Sequence, residues 1–125
     1  MPTFTNIQKL IIVTVLLSLA HAIEEFIFKF HETDWSTNLA ARLTGLSPFV
    51  VWLMVQMLVL ALYLWLWFGK QSRRYALIIL FIVLAIELSH PIEALLSGRY
   101  TAGLATSLLF PVIAYFWIKY RRAIL

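Results

Sequence analysis

The sequence predicts an all-α fold, a four-helix transmembrane bundle with both termini in the cytoplasm. Of its 125 residues, 62% are apolar and 13% are charged, whereas soluble domains average about 45–50% apolar and about 25% charged residues. A globule of this size has too little interior to bury so many apolar side chains, so we expect one integral membrane domain over residues 1–125. The apolar residues form four stretches near the ~20-residue length that crosses a bilayer, at 7–30, 47–68, 75–97 and 101–118.

Composition excludes several kinds of chemistry. The chain has no cysteine, which removes disulfides, thiolate metal sites, iron–sulfur clusters and cysteine nucleophiles. In a membrane protein, a net charge of +4 reports topology rather than nucleic-acid binding. No nucleic-acid partner is therefore expected.

The first apolar stretch lies close to the N-terminus, where a signal peptide would also lie. It is longer than a signal h-region, lacks a basic n-region and a small-residue cleavage site, and contains acidic residues. We therefore expect a retained helix. The long loop that follows runs from His31 to Gly45. Within it, Asp34 or Ser36 is expected to cap a short helix over 37–43.

The second stretch carries one polar residue at its middle, and the third and fourth each carry a helix-disrupting proline. Gln56 is the one polar side chain in the middle of the second stretch. Pro91 in the third lacks the N–H that would bond to the carbonyl of Glu87, so a kink is expected there. A turn at Gly98 separates the third stretch from the fourth, and Pro111 predicts a second kink.

The distribution of Lys and Arg predicts the orientation. Seven basic residues fall on one side of the predicted bundle, namely Lys9, Lys70, Arg73, Arg74, Lys119, Arg121 and Arg122. Only three fall on the other side, Lys29, Arg42 and Arg99. The positive-inside rule then places both termini in the cytoplasm, and we expect a multi-pass protein of the cell inner membrane. An outer aromatic belt is expected at Trp35, Trp52 and Tyr100.

Ionisable residues inside the predicted spans are the strongest functional signal. Four of the six acidic residues and two of the three histidines lie there: His21, Glu24, Glu25, Glu87, His90 and Glu93. An ionisable group at the membrane centre costs from about 2.5 to more than about 10 kcal/mol. Six such groups on two helices therefore have to pair with one another, take up protons or bind an ion.

Helical geometry predicts that these groups form one cluster. At about 100° per residue, the two acidic residues on each helix flank that helix's histidine, so the polar groups share one face. His21 and His90 both lie roughly 21–23 Å from the inner ends of their spans at ~1.5 Å per residue. The first and third spans run in the same direction, so the two histidines are expected to meet in the outer half of the bilayer.

Two histidines with four carboxylates form the ligand set of carboxylate-bridged metal sites in helix bundles. Those sites use Glu-x-x-His segments that face inward, and Glu87-x-x-His90 is such a segment. We therefore predict that all six residues bind one or two divalent metal ions, with Fe, Mn and Zn as the candidates. The catalytic groups are predicted to be the glutamates, Glu24, Glu25, Glu87 and Glu93.

The predicted function is that of a metal-dependent membrane enzyme, an oxidoreductase with iron or a hydrolase with zinc. Its site within the bilayer favours a lipidic or other hydrophobic substrate. One alternative is a metal-free acid/base isomerase or cyclase for lipids or terpenoids. Another is a proton or cation transporter, which with four spans would have to be a homodimer. A structural network of protonated Glu and His is the remaining interpretation.

The first cluster also resembles a known motif. His21-Ala-Ile-Glu24-Glu25, in the first of four predicted spans, resembles the HXXEE family of small integral membrane proteins. The segment from Tyr100 to Thr106 is similar to the later part of the family pattern, although Ala102 stands where that pattern has proline. The resemblance covers nearly the whole chain. It implies a small integral membrane protein and assigns neither substrate nor mechanism.

Overall fold

A computed structural model describes residues 5–69 and 72–120, and all regular elements in that part of the chain are helices. The predicted all-α class is therefore confirmed. In chain order the helices are α1 (Asn6–Ile27), α2 (Phe30–Thr33), α3 (Trp35–Thr44), α4 (Pro48–Phe68), α5 (Arg73–Glu87), α6 (Ser89–Ser97), α7 (Leu104–Ser107) and α8 (Phe110–Tyr120).

Three helical segments are long and apolar enough to cross a membrane, which indicates an integral membrane protein. They are α1, α4 and the segment Arg73–Ser97 formed by α5 and α6, with 22, 21 and 25 residues. Large apolar side chains such as Leu58 and Ile78 lie more than half exposed on their outer faces, as expected where lipid replaces water. The fourth apolar segment, Leu104–Tyr120, is shorter. The fourth membrane crossing and the sidedness of the termini therefore stay predictions.

The end of the first helix differs from the expected range of 7–30. Helix α1 ends at Ile27, because Lys29 adopts the left-handed conformation with φ 55° and turns the chain into α2. This turn brings the ring of Phe30 to 5.1 Å from the ring of His90. The predicted cap at Asp34 is confirmed, since its carboxylate accepts a hydrogen bond of 2.6 Å from the Thr37 N–H at the start of α3.

Proline explains the two helix breaks. Helix α5 ends at Glu87 and α7 ends at Ser107, and each of these residues lies four positions before a proline, Pro91 and Pro111. A proline offers no N–H to the carbonyl four residues earlier, so each helix stops where that bond is lost. The helix is thus interrupted at both positions where a kink was predicted. Gly98, with φ 64°, then ends α6.

The apolar core lies at one end of the molecule. It is formed by the N-terminal half of α1, the C-terminal half of α4, α5 and α8, with Leu66, Leu80 and Trp117 fully buried. The indole N–H of Trp117 donates to the hydroxyl of Thr14 at 3.0 Å. This core leaves the other halves of α1 and α4 free to carry polar groups. Three of the basic residues used to predict orientation, Lys70, Arg121 and Arg122, lie outside the described residues.

Candidate metal centre

Four ionisable side chains converge between α1, α5 and α6. His21 and Glu25 lie one turn apart on α1, Glu87 is the last residue of α5, and His90 lies in the first turn of α6. One potential ligand atom from each of the four lies within 4.8 Å of all the others. We call His21, Glu25, Glu87 and His90 the His/Glu cluster.

The distances within the His/Glu cluster are short, and three of its residues are buried while Glu87 is partly exposed. His21 Nε2 lies 2.7 Å from Glu87 Oε2 and 3.5 Å from Glu25 Oε1. His90 Nε2 lies 3.4 Å from Glu87 Oε2 and 3.6 Å from Glu25 Oε1. His21, Glu25 and His90 are at most 5% exposed. The predicted meeting of the two histidines is therefore confirmed.

The close pair of His21 and Glu87 is not a hydrogen bond in this arrangement. Although His21 Nε2 and Glu87 Oε2 are 2.7 Å apart, both are buried without a hydrogen-bond partner among the described residues. With ionised carboxylates and neutral imidazoles, the His/Glu cluster carries a charge of −2. Such a charge in a low-dielectric interior must be compensated, so the cluster requires protons or a metal cation.

Helix α4 orients one carboxylate of the His/Glu cluster. Glu25 Oε2 accepts hydrogen bonds from the indole N–H of Trp52 at 2.9 Å and from the amide of Gln56 at 3.1 Å. Trp52 was expected in the outer aromatic belt, but it is only 8% exposed. Trp52 and Gln56 are four residues apart and therefore lie on one helix face. This spacing is the sequence feature that could have identified them as partners of the same group.

Glu24 faces a different set of partners. Its Oε1 accepts from the backbone N–H of Ala105 at 3.0 Å and from the Tyr100 hydroxyl. Its Oε2 accepts from the backbone N–H of Thr106 at 3.0 Å and from the Thr106 hydroxyl at 2.6 Å. The hydrogen bond to Glu24 raises the pKa of Tyr100 above its ordinary value. Composition and periodicity did not identify Tyr100 and Thr106 as partners, although both lie in the segment that resembles the family pattern.

Glu93 also lies apart from the His/Glu cluster. It lines an open cavity of about 600 Å³ together with Phe30, Trp35 and Ser89. The structure thus brings together four of the six predicted site residues and places Glu24 and Glu93 elsewhere. The roles of all six as ligands or catalytic groups remain predictions.

The ring of His21 is positioned by a hydrogen bond at Nδ1 and by packing against its edge. Nδ1 lies 2.7 Å from the hydroxyl oxygen of Thr106. Gly103 has φ +84°, and a Cβ atom there would lie 2.5 Å from His21 Cε1. The ring of Phe110 packs edge-on at 5.2 Å. A glycine is therefore required at position 103, by its backbone conformation and by the contact with His21.

The third histidine lies in a separate aromatic group. The ring of His31 contacts Phe26, Phe49 and Trp52 at centroid distances of 6.3, 5.5 and 6.0 Å. Its Nε2 is 3.9 Å from Glu32, and it is absent from the group that could hold a metal. His31 therefore offers a control position for experiments on the other two histidines.

These features define a class, an α-helical integral membrane protein with a largely buried group of two histidines and two glutamates. The chain belongs to the HXXEE family, described as proteins of unknown function with an HXXEE motif, whose sequence model matches residues 12–118. The resemblance of the motif is thus confirmed, and its defining residues here are His21, Glu24 and Glu25. No curated protein and no solved structure matches the chain.

Proposed function

We propose that this protein binds one divalent metal ion through the His/Glu cluster and uses it in a reaction on a hydrophobic substrate. The observation that carries the proposal is the spacing of the four ligand atoms. A tetrahedral ion with bonds of about 2.0–2.2 Å separates its ligand atoms by about 3.3–3.6 Å. Three of the four distances given above, 3.4, 3.5 and 3.6 Å, match this separation, and the pair of His21 Nε2 and Glu87 Oε2 at 2.7 Å would have to move apart to reach it.

Charge supports the same conclusion. Two ionised glutamates and two neutral imidazoles sum to −2, so one divalent cation makes the His/Glu cluster neutral. A neutral assembly is the form that a low-dielectric membrane interior tolerates best. Trp52 and Gln56 each donate a hydrogen bond to Glu25 Oε2, which leaves Oε1 of that carboxylate for the ion.

The ligand count favours one ion over two. Helix-bundle sites for metal pairs use four carboxylates with two histidines, whereas Glu24 and Glu93 lie apart from this group. Fe, Mn and Zn all suit imidazole and carboxylate ligands. With four protein ligands, a tetrahedral zinc ion has no open position. The spacing thus fits a tetrahedral ion such as zinc, whereas a catalytic role would need an ion, such as iron or manganese, that accepts further ligands and keeps a position for a substrate.

The metal would supply Lewis-acid or redox chemistry to a substrate within the bilayer. An apolar groove of about 280 Å³ between α1 and α4 offers a binding place for a lipid chain. Ala22 and Gln56 line it; Ala22 follows His21 in the chain, and Gln56 contacts Glu25. A chain in the groove would thus end beside the His/Glu cluster. We therefore propose membrane lipids or similar hydrophobic molecules as substrates.

We propose that the chain crosses the membrane four times, with Leu104–Tyr120 as the fourth crossing. Both termini then lie in the cytoplasm, and the protein is located in the cell inner membrane. The 17 residues from 104 to 120 meet the lower limit of about 17 for a crossing helix. Four described basic residues, Lys9, Arg73, Arg74 and Lys119, lie near the ends assigned to the cytoplasm. A homodimer is compatible with this arrangement.

The separation of 2.7 Å between His21 Nε2 and Glu87 Oε2 also supports a second candidate function. Two atoms at this distance can share a proton after a small rotation of either side chain. The pair would then act as an acid and base on a lipid or terpenoid without a metal. Activity that survives complete chelation would favour this candidate.

Elemental analysis of the detergent-purified protein tests the metal proposal. The wild type is compared with the double variant His21→Ala/His90→Ala, and His31→Ala serves as the matched control. We expect one equivalent of Fe, Mn or Zn in the wild type and in His31→Ala, and none in the double variant. Absence of metal from wild-type protein expressed with each of these metals in the medium would overturn the proposal.

A further inference from the structure

The first glutamate of the HXXEE motif is connected to the His/Glu cluster through a single hydroxyl group. The Thr106 oxygen lies 2.6 Å from Glu24 Oε2 and 2.7 Å from His21 Nδ1. A hydroxyl has one proton to donate. The carboxylate is the best acceptor near it, since the other carbonyl within reach, that of Gly103, lies at 3.3 Å. Thr106 therefore donates to Glu24 and accepts from His21.

Three further donors fix Glu24 in the accepting role. The backbone N–H groups of Ala105 and Thr106 each donate to a different carboxylate oxygen at 3.0 Å, and the Tyr100 hydroxyl adds another bond. With a donor at every contact, the Glu24 carboxylate accepts throughout. This arrangement fixes the direction of the Thr106 bond and hence places a proton on Nδ1 of His21.

A proton on Nδ1 has a direct consequence at the other side of the ring. In the neutral tautomer with Nδ1–H, the lone pair belongs to Nε2, and Nε2 is the atom that lies near Glu25 and Glu87. Gly103 leaves the space that the ring occupies, since a Cβ atom there would clash with it, and the ring of Phe110 packs edge-on against it at 5.2 Å. The ring is thus oriented with its metal-binding nitrogen toward the two carboxylates.

We propose that Glu24 is a positioning residue that holds His21, through Thr106, in the Nδ1–H tautomer needed for metal binding. The inference rests on the proposed function, in which Nε2 binds the ion. It divides the motif into two roles, with His21 and Glu25 as ligands and Glu24 as the group that orients the histidine. A hydrogen-bonded carboxylate that orients a metal-binding histidine usually raises the metal affinity by about 10- to 100-fold.

The test uses the full chain in detergent micelles and three proteins: the wild type, Thr106→Val and Thr106→Ser. Valine has the shape of threonine without its hydroxyl, whereas serine keeps the hydroxyl. Nitrogen NMR of labelled histidine, without added metal, reads the tautomer of His21, and titration with Zn²⁺ reads affinity. We expect Nδ1–H in the wild type and Thr106→Ser, and a loss of about 10- to 100-fold in Zn²⁺ affinity in Thr106→Val alone.

The outcomes separate this inference from the proposed function. A wild type that carries Nδ1–H but binds no divalent metal overturns the metal proposal and leaves the positioning of the ring established. A wild type with Nε2–H, or a Thr106→Val variant with unchanged affinity, overturns the positioning role. If Thr106→Val does not fold, the tautomer of His21 in the wild type and in Thr106→Ser still tests the inference, because Nε2–H in either protein would overturn it.

Discussion

Trp52 and Gln56 lie one helical turn apart on α4, and both donate a hydrogen bond to the same oxygen of Glu25, at 2.9 and 3.1 Å. The shared acceptor leaves the opposite oxygen of Glu25 near the two histidine Nε2 atoms. A helix outside the His/Glu cluster thus orients one of the carboxylates of that cluster. Such supporting hydrogen bonds fix the direction of a ligand's lone pairs.

Removing these donors is expected to weaken metal binding. In the double variant Trp52→Phe/Gln56→Leu, the buried Oε2 of Glu25 has no donor, so Glu25 gains alternative orientations. We expect a loss of about 10- to 100-fold in Zn²⁺ affinity by competition titration. Trp35→Phe, which changes an exposed indole, is the control and should bind as the wild type does. Equal affinities in all three proteins would contradict the role of α4.

The two glutamates of the third predicted span are expected to differ sharply. Glu87→Gln removes a carboxylate of the His/Glu cluster, whereas Glu93→Gln changes a side chain that lines a separate cavity. Metal content should fall to background in Glu87→Gln and stay at one equivalent in Glu93→Gln. The expected affinity loss for Glu87→Gln exceeds about 100-fold, because a ligand contributes more than its supporting partners. Comparable losses in both variants would show that Glu93 belongs to the site.

Metal binding is expected to release protons. Without a metal, the buried charge of −2 is compensated by protons bound within the His/Glu cluster at atoms other than Nε2 of His21, and a divalent ion displaces them. Affinity for Zn²⁺ should therefore rise with pH, and calorimetry in buffers of different ionisation enthalpy should count about one to two protons released per ion. His31→Ala should release the same number. Binding without proton release would contradict the proposed charge balance.

Glycine 103 is expected to be required for a reason that other glycines do not share. Gly103 and Gly98 both have left-handed backbone conformations, with φ +84° and +64°, but a Cβ atom meets His21 only at position 103. Gly98→Ala should cost about 1–2 kcal/mol of stability. Gly103→Ala should cost more and should also lower Zn²⁺ affinity, since the ring of His21 must shift. Thermal unfolding with and without Zn²⁺ measures both effects, and identical behaviour of the two variants would exclude the contact.

The sequence was sufficient to predict the helical class, the two proline breaks and the meeting of His21 with His90. These predictions rest on local or additive properties. They are the hydropathy of the chain, the missing N–H of proline, and the equal depth of His21 and His90 along spans that run in the same direction. They do not depend on knowing which helices touch. The end of the first helix was missed, because the left-handed Lys29 has no glycine to reveal it in the sequence.

Sequence periodicity could not predict which of the neighbouring residues Glu24 and Glu25 belongs to the His/Glu cluster. Glu24 and Glu25 lie on either side of His21, so helical geometry gives each a similar claim to the site. The difference arises from partners that are distant in the chain. Thr106 donates a hydrogen bond to Glu24, whereas Trp52 donates one to Glu25. Glu93 follows the helix break after Glu87, so the spacing expected of one regular helix does not hold across it.

X-ray absorption spectroscopy of the metal-loaded protein is the most direct test of the central claim that the His/Glu cluster binds a metal ion. The proposal predicts a first shell of nitrogen and oxygen atoms at about 2.0–2.2 Å, with the outer-shell scattering of two imidazoles. The double variant His21→Ala/His90→Ala should lose this imidazole scattering, while His31→Ala retains it. A first shell without imidazole in the wild type would contradict the claim.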